Sequence, residues 1–381
     1  MRFLHTADWH LGKLFGRRYM TEDQAYVLEA FFDLVHESRV DAVVIAGDIY
    51  DRSVPPAEAV KLFNEVLTRL VLDVKVPVFF IAGNHDSAAR LDFGSRLFER
   101  AGVYLRGVID ASVTPIVVPD PFGDVYISLI PFCDPPSVRE AFGLEKTPSF
   151  DEAMGLVVKQ AREGIPEGAR SIAVAHAFLA GGLASESERP LSVGGTDAVS
   201  PAHFADYSYT ALGHLHRPQK AGGETIRYSG SLLKYSFDEA AQKKGVLIVD
   251  MDEKGEVSVE TVPLTPKHDV RIVKGFMDEI RNGSDELPLD DYVRVDLLDE
   301  VPVLNAYEKL SAIYPNLLGI TRPNVHVGDS QGARREPRKE SEVALFGDFF
   351  QEMAKEPLTE AQRKELISCI EEVRREERDD G

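Results

Sequence analysis

An α/β fold followed by a smaller unit is predicted by three features of this 381-residue sequence. Short apolar runs stop abruptly at polar residues, amphipathic stretches separate them, and Asp, Asn and His residues gather just past the run ends. Arg2 to Asp8, Asp41 to Asp48 and Pro77 to Asn84 have the length and bounds of buried strands. Between the first two, Thr21 to Ser38 has helical periodicity, with Thr21 and Gln24 at capping-box spacing. Between the second and third, Pro55 and Pro56 open a helix with Val60, Phe63, Leu67 and Leu70 on one face. Strands are expected over Val125 to Phe132, Ser171 to Phe178, Tyr209 to His216 and Thr225 to Ser231. A hairpin follows, Gly245 to Asp252 and Glu256 to Pro263. After Pro266 comes a compact β-α-β-α set: Asp269 to Val273, Met277 to Asn282, Asp291 to Leu298 and Leu304 to Tyr314. Two short helices close the chain beyond a polar, Gly- and Pro-bearing stretch, the second capped by Thr359 and Gln362.

The composition narrows the class. Hydrophobic residues make up 44% of the chain, enough for a sizeable core, and the two cysteines, Cys133 and Cys369, fit neither a disulfide framework nor a zinc cluster. No run approaches the roughly 20 apolar residues of a membrane span, so a soluble, cytoplasmic protein without membrane contact is expected. A net charge of −20 argues against a chain that wraps nucleic acid alone. It leaves room for bound cations or for a partner that holds the polyanion.

Five clusters carry the chemistry: Asp8-Trp9-His10, Gly47-Asp48-Ile49-Tyr50-Asp51, Gly83-Asn84-His85-Asp86, His176, and Gly213-His214-Leu215-His216. Each falls at the end of an expected strand, and period-2 geometry puts Asp8 with His10, and His214 with His216, on one side of an extended chain. Carboxylates mixed with several imidazoles suit manganese, iron or zinc better than magnesium. One carboxylate can bridge two cations about 3.5–4 Å apart, the arrangement of two-metal phosphoesterases. Taken singly, His176 reads as a core histidine, Asp8 as a helix cap and Asn84 as a turn residue; their joint order along five strand ends is what speaks for a metal site. His5, His36, His203, His268 and His326 lack such company and read as structural or surface residues.

The five clusters resemble the motif series of the calcineurin-like metallophosphoesterase superfamily, and within it the chain is similar to the SbcD nuclease family. The stretches that carry the likeness are Leu4 to Gly12, Gly47 to Pro56, Ala82 to Leu91 and Tyr228 to Ser231. The resemblance implies a two-sheet sandwich flanked by helices, with a small α+β capping domain and a C-terminal helical hairpin. The boundaries would be 1–266 for the nuclease domain, 267–328 for the capping domain, 329–342 for a linker and 343–381 for the terminal helices. It also implies two Mn2+ per chain, one held by Asp8, His10, Asp48 and His216, the other by Asp48, Asn84, His176 and His214. His85 would be the catalytic histidine and Asp86 its partner. Asp51 stands where several archaeal relatives carry a phosphate-orienting histidine, and it is given no catalytic role.

The implied activity is manganese-dependent cleavage of DNA, as a double-strand exonuclease and a single-strand or hairpin endonuclease. The rivals are a small-substrate phosphatase or cyclic-nucleotide phosphodiesterase of the same superfamily, and a non-catalytic scaffold. Lys13, Arg17 and Arg18 either meet the DNA backbone or form a solvated loop. Read alone, the stripe Leu345, Phe346, Phe349, Phe350 and Met353 either packs onto the body or binds a partner. The family's SbcC-type ABC ATPase, gripped by such helices, favours the partner. The resemblance further implies a homodimer through helices around Ala57 to Leu72 and Ser87 to Ala101, giving a heterotetramer.

Overall fold

A computed structural model describes residues 1–112, 114–188, 191, 197–283, 288–324, 342–354 and 356–379. Its body is two six-stranded sheets packed face to face. The first runs Val257–Pro263, Gly245–Met251, Arg2–Thr6, Ala42–Ile45, Val78–Ile81, Val103–Arg106 in spatial order. The second runs Gln219–Lys220, Ile226–Tyr228, Tyr209–Gly213, Ser171–His176, Gly123–Ile130, Ile116–Asp120. In the first, Arg2–Thr6 through Val103–Arg106 run parallel while Gly245–Met251 is antiparallel to both its neighbours; in the second, the four inner strands are parallel. Their alternate residues feed different cores, as expected of strands covered on both faces. Phe3, Val44 and Phe79 join Ile127, Val174 and Ala211 between the sheets. Leu4, Val43 and Phe80 turn outward onto the Thr21–Ser38 and Ala57–Thr68 helices. His5 is a structural histidine, as expected: its ring lies 3.0 Å from Tyr209 Oη and 3.2 Å from Leu212 O, tying one sheet to the other.

Several expectations are corrected in detail. The Thr21–Ser38 helix has the expected bounds, but no capping box forms, because Gln24 is buried and its amide is committed to the loop that follows the first strand. The buried face of the next helix is Ala59, Phe63, Val66 and Leu70. Of the expected stripe, Phe63 and Leu70 are buried and Leu67 packs half-buried against the core, while Val60 is exposed and Ala59 takes the inward place. The edge strands Val103–Arg106 and Ile116–Asp120 and the helices Pro135–Phe142 and Phe150–Arg162 lack an assignment from sequence. The last of these has a complete capping box, Ser149 with Glu152.

The smaller unit gains a strand. Val270–Gly275, Tyr292–Leu297 and Leu317–Thr321 form a parallel sheet with its own core of Met277, Ile280, Val293, Val295, Leu310 and Tyr314. The linker expected at 329–342 lies outside the described residues save Glu342, as do His326 and the last residues of the expected capping domain. Two helices end the chain, Glu342–Ala354 and Glu360–Asp379, the second much longer than a short closing helix. Its expected cap is formed: Gln362 N donates to Thr359 Oγ1 and Thr359 N to Gln362 Oε1. Among the described residues, no helix is long and apolar enough to cross a membrane.

Candidate metal centre

The C-terminal ends of the parallel strands in both sheets meet along one edge, where open α/β sheets place ligands. The strands stop short of the motifs, and the chain there turns left-handed rather than staying extended. Asp8 (φ 54°), His10 (46°), Asp48 (50°) and His214 (105°) all have positive φ. The period-2 argument for Asp8 with His10 and His214 with His216 is therefore corrected: loop turns, not strand pleats, aim these side chains. Each such non-glycine conformation costs on the order of 1–3 kcal/mol and persists only where its surroundings over-determine it. Here Asp8 N donates to Gly47 O and His10 N to Asp48 O, lacing the first loop to the second. Glycine is required where the loops cross. A Cβ on Gly83 would lie 2.1 Å from Asp48 Oδ1, and one on Gly213 would lie 1.9 Å from Ala46 O.

All seven expected ligands are buried and converge. Asp8, His10 and His216 bring one atom each within mutual reach, and so do Asp8, Asp48 and His176. Asp48 Oδ2 stands between the two groups, 3.6 Å from His10 Nε2 and 3.5 Å from His176 Nε2. Asn84 Oδ1 is 3.0 Å from His176 Nε2 and 3.1 Å from His214 Nδ1.

The outer nitrogens decide what the inner ones present. His176 Nδ1 lies 2.9 Å from Ala46 O, a pure acceptor, so it carries the proton and Nε2 turns a lone pair inward. Ser187 Oγ donates to Glu239 Oε1, which leaves its lone pair to accept from His216 Nδ1 at 2.6 Å. His10 Nδ1 lies 3.6 Å from Asp51 Oδ1, beyond hydrogen-bond reach, and is buried without a partner. His216 Nε2 turns its lone pair toward His10 Nε2, 3.0 Å away. Asp8 Oδ2, fully buried beside them, has no hydrogen-bond partner. The inward lone pairs of His176 and His216 and an orphaned carboxylate oxygen fit a bound cation, with the outer nitrogens of those two rings anchored as metal-binding imidazoles require.

The electrostatics agree. Burial pushes Asp8 well above the ordinary carboxylate range, and the Asp48 charge adds to it. Burial also acts to raise Asp48, but His176 and His85 beside it win and hold it below its usual value. Burial drives His10 and His214 far down, toward the neutral form that ligates metals.

His85 faces the same point, its Nε2 3.9 Å from Asp48 Oδ2. The expected bracing of His85 by Asp86 takes another form. Both Asp86 oxygens accept backbone N–H groups, from Ile49, Tyr50 and Gly83, pinning the second loop to the third. His85 Nδ1 instead donates to Asp51 O at 2.8 Å, so Asp51 orients this ring through its backbone. Burial, then the Asp48 charge, pushes Asp86 up to about 7. Lys13 is half-buried at the rim, 2.8 Å from Asp51 Oδ1. Arg17 is exposed, and Arg18 donates to Pro315 O of the smaller unit. Sequence reasoning missed Ser187, Glu239 and Lys244, a buried chain behind His216 in which Lys244 Nζ meets Glu239 Oε2 and His216 O, both at 2.6 Å. They lie far from the motifs along the chain and carry no short-range signal.

A sandwich with this donor set at its strand ends defines a metal-dependent phosphoesterase, and the comparisons agree. The calcineurin-like phosphoesterase model matches residues 1–218, and the chain belongs to that family. Residues 266–354 match the model described as type 5 capsule protein repressor C-terminal domain. Among curated proteins, the SbcD component of the nuclease SbcCD from Staphylococcus epidermidis is 32% identical over 375 residues, 97% of this chain and 99% of that one.

Proposed function

We propose that this chain is a DNA nuclease, an exonuclease on duplex ends and an endonuclease on single strands and hairpins. The observation that carries the reading is the close approach of the His10 and His216 Nε2 nitrogens beside the orphaned Asp8 oxygen, within a chain alignable end to end with a curated nuclease component. Two Mn2+ would be held by Asp8, His10, Asp48 and His216 and by Asp48, Asn84, His176 and His214. Such ions polarise phosphoryl oxygens and lower the pKa of water. His85, with Nδ1 tied to Asp51 O, keeps Nε2 toward the centre, where in its protonated form it can deliver a proton to the departing oxygen. Asp86 and the two glycines hold the loops in register. Lys13 at the rim is placed to leave Asp51 for a phosphate of the DNA backbone.

Two surfaces suit partners. Phe346 and Phe349 remain 43% and 58% exposed, as a helix-in-groove anchor for an SbcC-type ABC ATPase requires. The side chains of Leu345 and Met353 lie outside the described residues. Phe93, Leu97 and Leu72 are exposed on the two helical stretches expected at a dimer interface and would close a homodimer, giving a heterotetramer with the ATPase. The test is cleavage of linear duplex, hairpin and single-stranded DNA by the purified chain with Mn2+ and with chelator, beside p-nitrophenyl phosphate. Mn2+-dependent DNA cleavage is expected. Turnover of the small ester alone would point to a phosphatase, and no turnover with or without the ATPase to a scaffold.

A further inference from the structure

The first turn of the Thr21–Ser38 helix sends two consecutive side chains to opposite destinations. Gln24 is fully buried, and its amide nitrogen reaches the carbonyls of Trp9 at 3.1 Å and His10 at 2.7 Å. Its amide oxygen accepts from Gly12 N at 3.0 Å. The Tyr235 hydroxyl closes the knot, 3.1 Å from the same amide nitrogen and donating to Trp9 O. One side chain therefore fastens both carbonyls that flank the strained turn at His10. Asp23, also buried, looks the other way. Its two oxygens accept from His268 Nδ1 at 2.7 Å and Tyr292 Oη at 2.8 Å, both in or beside the smaller sheet. Tyr292 also packs edge-on against Phe15, in the chain that continues from the same loop.

We infer that Gln24 is a positioning residue for the Asp8–His10 metal loop, and that Asp23 makes the seating of the smaller unit felt there. The physical reason is that left-handed Asp8 and His10 are held by their surroundings, not by their own preference. Removing the amide takes from Gly12 N its buried acceptor and from the Trp9 and His10 carbonyls one of their two donors, the others being Tyr235 Oη and Lys13 N, and lets the loop relax away from the metal. The helix turn is short and stiff, so a shift at Asp23 moves Gln24 with it.

The inference rests on the metal reading, and its test reads metal binding rather than cleavage. Mn2+ affinity is measured by calorimetry, and bound Mn2+ by electron paramagnetic resonance, in the full chain and in Gln24→Met, Tyr292→Phe and the double variant. The melting temperature of each is taken in chelator. Gln24→Met keeps the volume and loses the hydrogen bonds, and Mn2+ affinity should fall about 10–100-fold, the usual effect of losing a partner behind a ligand. Tyr292→Phe should cost a smaller factor, and the double variant no more than Gln24→Met alone, because both act along one path. Unchanged affinity in Gln24→Met, with only the melting temperature lowered, overturns the positioning role. Should that variant not fold, Tyr292→Phe decides alone, and unchanged affinity there overturns the coupling, as do strictly additive losses in the double variant. A wild-type chain that takes up no Mn2+ overturns the metal reading itself.

Discussion

The strand-end loops and the terminal helices handle polar and apolar groups in opposite ways. In the loops, His176 is anchored through Nδ1 to a buried carbonyl, His216 through Nδ1 to Ser187, and Asp86 accepts three backbone N–H groups. In the helix Glu342–Ala354, Val343 is buried, while Phe346 and Phe349 stand in solvent with ring centroids 6.3 Å apart. The first region is finished within the chain: ligands must stand within a fraction of an ångström of their places, so their supports are built in. The second leaves Phe346 and Phe349 partly uncovered, and such apolar surface gains its stabilisation only when another surface meets it.

The sharpest break in that comparison is Asp48→Ala. One carboxylate stands between both donor groups, so Mn2+ content should fall from two ions per chain toward none. Cleavage should drop by more than the roughly 10⁴-fold that a single acid–base group supplies. Metal analysis showing one site fully retained would remove the bridging role. His85→Gln comes next, lowering turnover about 10²–10⁴-fold with metal content intact. Loss of metal in step with activity would make His85 a ligand instead.

Deleting residues 340–381 probes the other region. Co-purification with the ATPase should be abolished, while metal content and basal single-strand cleavage stay at the wild-type level. Phe349→Glu with Phe350→Glu should give the same outcome without shortening the chain, and unchanged ATPase binding would place that interface elsewhere. The smallest effect concerns the rim of the body, where buried Asp120 pairs with Arg170 at 2.6 Å and with the amino terminus at 2.8 Å. Hydrogen bonding from Arg170 holds its carboxyl well below the ordinary range. A depressed folded value means the contribution is complete above the unfolded pKa near 4 and is lost as pH falls through the folded one. Asp120→Asn should therefore melt below wild type at pH 7, with the gap narrowing in acid; a gap independent of pH would assign the loss to packing.

Much of the site was legible because its ligands come in contiguous motifs at the ends of apolar runs. Five short segments sufficed to name seven residues, and the structure brings all seven together. The supports were not legible. Ser187, Glu239 and Lys244 approach His216 from separate segments, and nothing local distinguishes them from surface polar residues.

The same limit shows in two identical spacings. Thr-x-x-Gln occurs at Thr21–Gln24 and at Thr359–Gln362. At the exposed tail the local rule prevails and the capping box forms. In the body the pattern correctly marks a helix start, but Gln24 is drawn to the buried carbonyls of Trp9 and His10 and to Gly12 N, whose N–H needs an acceptor there. Sequence by itself determined the strands that carry the motifs, the first helix and the residue types that hold a metal, because periodicity and short spacing are properties of the local chain. Tertiary structure alone decided which way each side chain turns, because a buried hydrogen-bonding group must find its partner wherever the fold places one.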